Sequence, residues 1–419
     1  MRVPHRLIAV AAVAALALGA LAPATHAAEP EAAPSVRAPE TPPAAACTGE
    51  AATDALEAAC GLRLTAPTTT FVWPHAATPI DLAFAGGRLA FRGTPPAEGA
   101  RPVDYLTVWE HNETTGGWRA WSATVGGAFH TLREFQPGGH YTIAARAPLD
   151  LSLAPLRPSS LAGRRVVSIY GHPGVAVMGT LGTYPSAAAA AAGAEAIAAQ
   201  YRALDEAAGR TTEVVGALHL IVSVALADPG ADGTYLGRMT LEDIAPWVEA
   251  TRARGQLLFL DVQVGWADPL TEVRRLEPLL REPHVHLALD PEFATKGEDE
   301  PPGGAIGFLT AEQVNAVQRF LFEVGARAGV PSKVLVVHQF RDDMLVEPER
   351  IESVPGVDLV IDMDGWGPPG QKLLGYEAYA LAPYAEHPGF KLFYRWDAPL
   401  MTPAEVMALA TPPTYVIYQ

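Results

Sequence analysis

Polar side chains that can move protons sit at the ends of apolar runs throughout the second half of this chain. Leu287-Ala288-Leu289-Asp290 is followed by Glu292, Val360-Ile361-Asp362 by Asp364, and Phe259-Leu260-Asp261 by Gln263. Another run closes on His338, one reaches Tyr394 with Asp397 just behind it, and His172 follows the first. In an extended chain, residues two apart face the same way, so each such pair presents two polar groups to one side. Two carboxyl groups across a cleft, one protonated and one ionised, suffice to cleave a glycosidic bond. Their separation, about 5–5.5 Å or about 6.5–9.5 Å, decides retention or inversion. Trp266, Trp366 and Trp396 stand just past the acidic run ends, and indole faces suit the apolar faces of sugar rings.

On this reading Asp290, Glu292, Asp362 and Asp364 are the candidate catalytic residues. His172, Asp261, Gln263, His338, Trp366, Tyr394 and Asp397 are the candidates for substrate binding. Asp290 or Glu292 is expected to be ionised, as nucleophile or base. Asp362 or Asp364, crowded by that charge and by Trp366, is expected to hold the proton. Ordinary turn chemistry accounts for a single Asp-Pro or Asp-Gly, but less readily for acids or His at five of eight run ends.

Two other classes compete. Asp261, Asp290, Glu292, His338, Asp362 and Asp364 also offer oxygen and imidazole ligands, so a metal-dependent hydrolase of the phosphodiester type is the alternative. Against it, no HExxH spacing occurs and only Arg341 and Arg395 lie near run ends, so no metal set is assigned. The third class is a non-catalytic protein that binds cell wall or another ligand, for which so many acids on one face have no evident use. No GxGxxG or Walker loop is present, and Lys333 and Lys391 are read as early in their runs, so no cofactor is expected. His219, amid Leu and Ile, reads as a core histidine, and His284 and His286 as lying at the end opposite the acids.

The elements that must position these groups are eight apolar runs: Val166–Tyr170, Ala217–Val222, Leu257–Asp261, Val285–Asp290, Lys333–His338, Val357–Asp362, Phe390–Tyr394 and Tyr415–Tyr418. Continuous apolar runs are the pattern of strands buried on both faces. Between them, Thr240-x-x-Asp243, Thr310-x-x-Gln313 and Thr402-Pro403-x-Glu405 carry hydroxyl caps with an acid or amide three residues on, and Ala187–Gln200 reads as a helix. Strand and helix in alternation over residues 164–419 predict an α/β chain with a (β/α)8 TIM-type barrel, whose reacting groups gather at the C-terminal ends of the strands. An open doubly wound sheet is the runner-up.

Residues 61–155 read differently. Thr69-x-Phe71-x-Trp73, Ile80-x-Leu82-x-Phe84, Leu89-x-Phe91, Tyr105-x-Thr107-x-Trp109 and His140–Ile143 alternate with period two between glycine pairs, which predicts a small all-β, sandwich-like domain. Its tryptophans are core residues on the plainer reading and a sugar platform on the other.

Ahead of this lie Arg2 and Arg6, an apolar stretch from Leu7 to Ala22 and a small-residue exit at Ala27, the plan of a signal peptide over residues 1–27. Residues 28–60 form an Ala/Pro-rich tether, and Cys47 and Cys60 are expected to pair in an exported chain. The expected location is extracellular or in the cell envelope, with no transmembrane segment in the mature chain. The 419 residues carry 46 Asp+Glu against 30 Lys+Arg, a formal charge of −16, which argues against nucleic acid as a partner. The expected partner is a carbohydrate substrate. The stretch from "IYGHPG" to "VIYQ" resembles a family of uncharacterised secreted bacterial proteins. The placing of "LALDPEF" and "VIDMDGWG" on the fourth and sixth runs resembles, at the level of the fold, glycoside hydrolase barrels with acids on those strands.

Overall fold

The computed structural model describes residues 61–64, 68–73, 77–85, 88–92, 94–112, 115–125, 127–153 and 159–419. The expected leader, the tether and the Cys47–Cys60 pair lie outside the described residues. The chain divides into two compact units, with the division falling between residues 153 and 159.

The larger unit is built on eight strands: β1 (Arg164–Gly171), β2 (Glu213–Ala225), β3 (Leu257–Gln263), β4 (Val285–Asp290), β5 (Lys333–Gln339), β6 (Val357–Met363), β7 (His387–Leu392) and β8 (Tyr415–Tyr418). Each pairs in parallel with its neighbour in chain order. β8 returns to β1 through Val166↔Tyr415 to Ile169↔Tyr418, so the sheet closes on itself. An open sheet is thereby excluded, and the architecture is an eight-stranded parallel α/β barrel of the TIM type.

Closure turns strand alternation into an inside and an outside. Ala217, Phe259, Ala288, Val336 and Val360 belong to one apolar cluster inside the barrel. Two residues on from each stand His219, Asp261, Asp290, His338 and Asp362, so the period of two that packs the interior also delivers the polar groups above it. Gly389 does the same for Lys391 on β7. A Cβ at Gly389 would lie 2.8 Å from Asp362 Cα, so only glycine lets β6 and β7 approach at that level. At the opposite end of the barrel, the Asp358 carboxylate accepts from the Ser160 and Leu161 amides and the Ser332 hydroxyl at 2.7–3.2 Å.

The outer helices are α1 (Ala187–Ala207), α2 (Leu241–Arg252), α3 (Pro269–Arg274), α4 (Glu277–Leu280), α5 (Ala311–Ala328), α6 (Pro369–Gly375) and α7 (Pro403–Met407). All three expected capping boxes form, at Thr240/Asp243, Thr310/Gln313 and Thr402/Glu405. One crossover departs from strict alternation: between β5 and β6 there are two 3-10 turns, Asp342–Met344 and Pro348–Arg350, and no α-helix. The segment "RDDMLVEPERIESVPG" has two prolines, four acids in its first nine residues and no apolar stripe at helical spacing, so nothing there can lay a helix against the barrel.

The smaller unit contains a three-stranded antiparallel sheet (Gly61–Leu64, Leu149–Ser152, Arg88–Phe91) and a four-stranded one (Thr68–Val72, His140–Ala145, Leu106–Asn112, Gly117–Ser122). Phe71, Tyr141 and Ile143 of one and Leu149 and Leu151 of the other share a core with Trp73 and Trp121, and Trp109 is buried as well. These indoles are core residues rather than a binding platform. The stretch expected as a strand at Ile80–Phe84 is a short helix, Ile80–Ala85. Ile80, Ala83 and Phe84 are buried, at the i, i+3, i+4 spacing of a helix face. Among the described residues no helix is long and apolar enough to cross a membrane.

Candidate functional site

The acids and histidines converge inside the C-terminal end of the barrel. His338 is the hub: its Nδ1 lies 2.9 Å from Asp362 Oδ2 and 3.5 Å from Asp364 Oδ2, and its Nε2 lies 3.6 Å from Asp261 Oδ2. His219 Nε2 stands 3.4 Å from the same Asp261 oxygen. Lys391 reaches in from β7, with Nζ 2.8 Å from Asp364 Oδ1 and 3.7 Å from the centre of the Tyr170 ring. His219, Asp261, His338 and Asp362 are fully buried, and Asp290, Asp364 and Lys391 nearly so.

So many ionisable groups in one dry space shift one another. Burial raises the Asp290 pKa well above the carboxylate range, and Glu292, Asp261 and Asp364 add to it against the pull of His338. Burial and then Asp364 push Glu292 up to about 7, although Lys391 and His338 oppose. Asp364 is also raised, by burial first, with Lys391 and His338 acting the other way. Asp261 goes the opposite way: burial alone would raise it, but His219 and His338 hold it far below the usual range. Burial lowers His219 to about 4. The same burial and the nearby Lys391 work against a charged His338, yet Asp364, Asp261 and Asp362 lift its pKa well above 6.5. Lys391 is raised despite burial because Asp364, Asp362 and Asp290 surround it. Asp290 and Glu292, expected to be ionised, are thus shifted toward the protonated form, and so is Asp364, one of the two groups expected to hold the proton.

The remaining candidates have specific places. Glu292 is half-buried in the 3-10 turn after β4, where its amide donates to Asp290 Oδ1 at 3.1 Å. His172 Nδ1 meets the Ile221 carbonyl at 2.9 Å, and Gln263 Oε1 accepts from the Ala225 amide at 2.9 Å. Asp397 accepts from the Gly367 and Phe393 amides and from Lys372, tying the loop after β6 to the loop after β7. Trp366, Tyr394 and Trp396 are 45%, 48% and 41% exposed. His286 is engaged with the Val334 amide and His284 with the Val248 carbonyl, at the start of β4 and away from the acids.

Lys391 and His219 are members that the sequence reading passed over. Lys391 reads as early in its run because Phe390–Tyr394 looks like the strand. β7 in fact spans His387–Leu392, which makes Lys391 its penultimate residue. The signal was Gly389, whose parity Lys391 shares. His219 sits in the middle of a 13-residue strand, but it pairs with Tyr170, next to last on β1, and so belongs to the upper part of the barrel. Tyr415, whose hydroxyl lies 2.9 Å from His219 Nδ1, carried no sequence signal.

A cleft of about 370 Å³ also opens at the other end, lined by Glu195, Arg202, Gly216 and Gln256 among others. Arg202 and Glu195 are already ion-paired there, and none of the acids of the C-terminal end lines it. No protein-family model, no curated protein and no solved structure matches the chain.

Proposed function

We propose that this chain is a secreted hydrolase of glycosidic bonds, acting through carboxyl groups at the C-terminal ends of β4 and β6. The observation that carries the reading is the gathering of carboxyl groups inside the C-terminal end of the barrel, with Glu292 near enough to Asp364 to be pushed up by its charge, at the end where Trp366, Tyr394 and Trp396 are half-exposed after β6 and β7. Glu292 is the proton donor: it keeps its proton near neutrality and is the most accessible of the acids. Asp364 is its counterpart, the acceptor: burial raises its pKa and the Lys391 ammonium, 2.8 Å away, opposes that rise. In the reaction Glu292 gives its proton to the leaving-group oxygen as the bond to the anomeric carbon breaks. Water adds to that carbon and its proton passes to Asp364.

A phosphodiester substrate is less well served, because Arg341, one of the two arginines near the strand ends, is bonded to Asp343. A purely binding role would leave the cluster of buried ionisable groups costly and unused. The leader composition supports export, and in an exported chain the Cys47–Cys60 pair is proposed as a disulfide.

The test is reducing-end release from a panel of soluble α- and β-linked polysaccharides and purified cell-wall glycan. Wild type should cleave at least one, Glu292→Gln and Asp364→Asn should lower kcat at least about a hundredfold, and Trp366→Ala should raise KM several-fold. Cleavage of nothing on the panel, or full activity in both carboxyl variants, overturns the reading.

A further inference from the structure

We propose that His219, Asp261 and His338 form a binding site for one divalent transition-metal ion, with zinc the best match. The proposal goes beyond glycosidic hydrolysis and stands without it, because it uses none of the groups given roles in the bond cleavage. Three ligand atoms, His219 Nε2, Asp261 Oδ2 and His338 Nε2, come together, with the oxygen 3.4 Å from one nitrogen and 3.6 Å from the other. A charge-assisted N–H···O bond would close to about 2.7–2.9 Å. Ligands held at about 2.0–2.1 Å from a tetrahedral zinc ion, by contrast, stand about 3.4 Å apart.

A second observation is independent of that spacing. His219 Nε2, His338 Nε2 and both Asp261 carboxylate oxygens are buried with no hydrogen-bond partner. Leaving such atoms bare inside a barrel is expensive, and a native fold rarely does so without an occupant. The far side of each imidazole is fixed in the way metal-bound histidines are. His338 Nδ1 is bonded to Asp362 at 2.9 Å and His219 Nδ1 to the Tyr415 hydroxyl at 2.9 Å. Those bonds aim both Nε2 atoms at Asp261 and orient the rings.

Charge points the same way. Asp261, Asp362 and Asp364 bring three carboxylates to the interior against the Lys391 ammonium and the proton that they favour on His338, and a dication bound in place of that proton balances all three. Two imidazoles and one carboxylate suit zinc and its neighbours better than calcium or magnesium, which prefer all-oxygen sets. The other grouping around this hub, His338 with Asp362 and Asp364, is the weaker one. There His338 Nδ1 is already at hydrogen-bond distance from Asp362, and Asp364 is already paired with Lys391.

The test needs no substrate. Full-length protein without an affinity tag is stripped with EDTA, dialysed against Zn²⁺, Co²⁺ or Mn²⁺ in turn, and analysed for bound metal by plasma mass spectrometry. The expected result is one tightly bound equivalent of zinc, and a cobalt form with the intense visible bands of four- or five-coordinate ligation. His219→Ala, Asp261→Asn and His338→Ala should lose that equivalent, and Asp362→Asn should weaken it about 10–100-fold. Glu292→Gln should keep it, which separates this site from the glycosidic reading. Wild type that takes up none of the three ions overturns the proposal, and so does uptake undiminished in Asp261→Asn and His338→Ala. If those variants do not fold, the wild-type cobalt spectrum decides: weak six-coordinate bands overturn the site.

Discussion

Asp364 and Lys391 form a buried ion pair in the upper part of the barrel. Both are nearly buried, 2.8 Å apart, and removing one partner leaves the other's charge largely desolvated and without its counter-ion. Lys391→Met should therefore cost about 3–5 kcal/mol, far more than the loss of an exposed ion pair such as Arg319–Glu352. Urea unfolding of the two single variants checks the contrast. Glu292 makes a different prediction. Its folded pKa of about 7 lies above the ordinary carboxyl value of 4.5, so the folded state binds more protons than the unfolded chain between these limits. The stability this proton confers is complete below about pH 4.5 and is lost as pH rises through 7. Wild type should lose stability relative to Glu292→Gln between pH 5 and pH 8. Denaturant midpoints for the two proteins at those pH values test this, and a constant difference would remove Glu292 as a group with a raised pKa. The acids were visible in the sequence because Asp and Glu at the end of an apolar run break its pattern. Lys391 was not, because its long apolar stem reads as part of the run and its ammonium shows itself only once a partner is known.

At the scale of elements, parity explains most of what could be read beforehand. A strand that places Val336 inside must also place His338 inside, and the same step carries Val360 to Asp362 and Phe259 to Asp261, so one good apolar pattern located the polar level above it. The capping boxes were legible for the same local reason, since hydroxyl and acid satisfy the first turn without help from tertiary structure. Strand limits were not, because β7 begins at His387-Pro388-Gly389, residues that look like a turn and become strand only by pairing with β6. Gly389 is where this matters most. Gly389→Ala would drive a methyl group against the backbone of Asp362 at 2.8 Å, which the backbone can relieve only by parting β6 from β7. The expected cost is about 1–3 kcal/mol, together with loss of the hydrogen bond that fixes His338. Differential scanning calorimetry gives the first. The His338 ring resonances, compared between the two proteins by NMR, give the second, and unshifted resonances would mean that the strands accommodate the methyl elsewhere.

For the whole molecule, a barrel is a cooperative object, because each strand has both neighbours and no edge is left. The last strand is the shortest of the eight, yet it does the closing. Tyr415 to Tyr418 pair with Val166 to Ile169 on one side and with Gly389 to Leu392 on the other, and the Tyr418 hydroxyl meets that of Tyr201 on α1 at 2.8 Å. Deleting residues 413–419 should leave β1 and β7 with bare edges and an apolar interior open along its length. The product should be aggregated or lack a cooperative thermal transition, rather than be a slightly weaker barrel. Tyr415→Phe removes one oxygen from the same strand and keeps the ring that packs against Phe259, so its secondary structure and oligomeric state should match wild type. That oxygen is the partner of His219 Nδ1, so this variant alone should bind zinc about 10–100-fold more weakly at nearly unchanged fold. Circular dichroism and size exclusion on both variants, with zinc titration of the second, separate closure from orientation. A truncated chain that unfolds cooperatively would show that seven strands suffice, and wild-type zinc affinity in Tyr415→Phe would show that His219 is held by the barrel walls and not by the tyrosine.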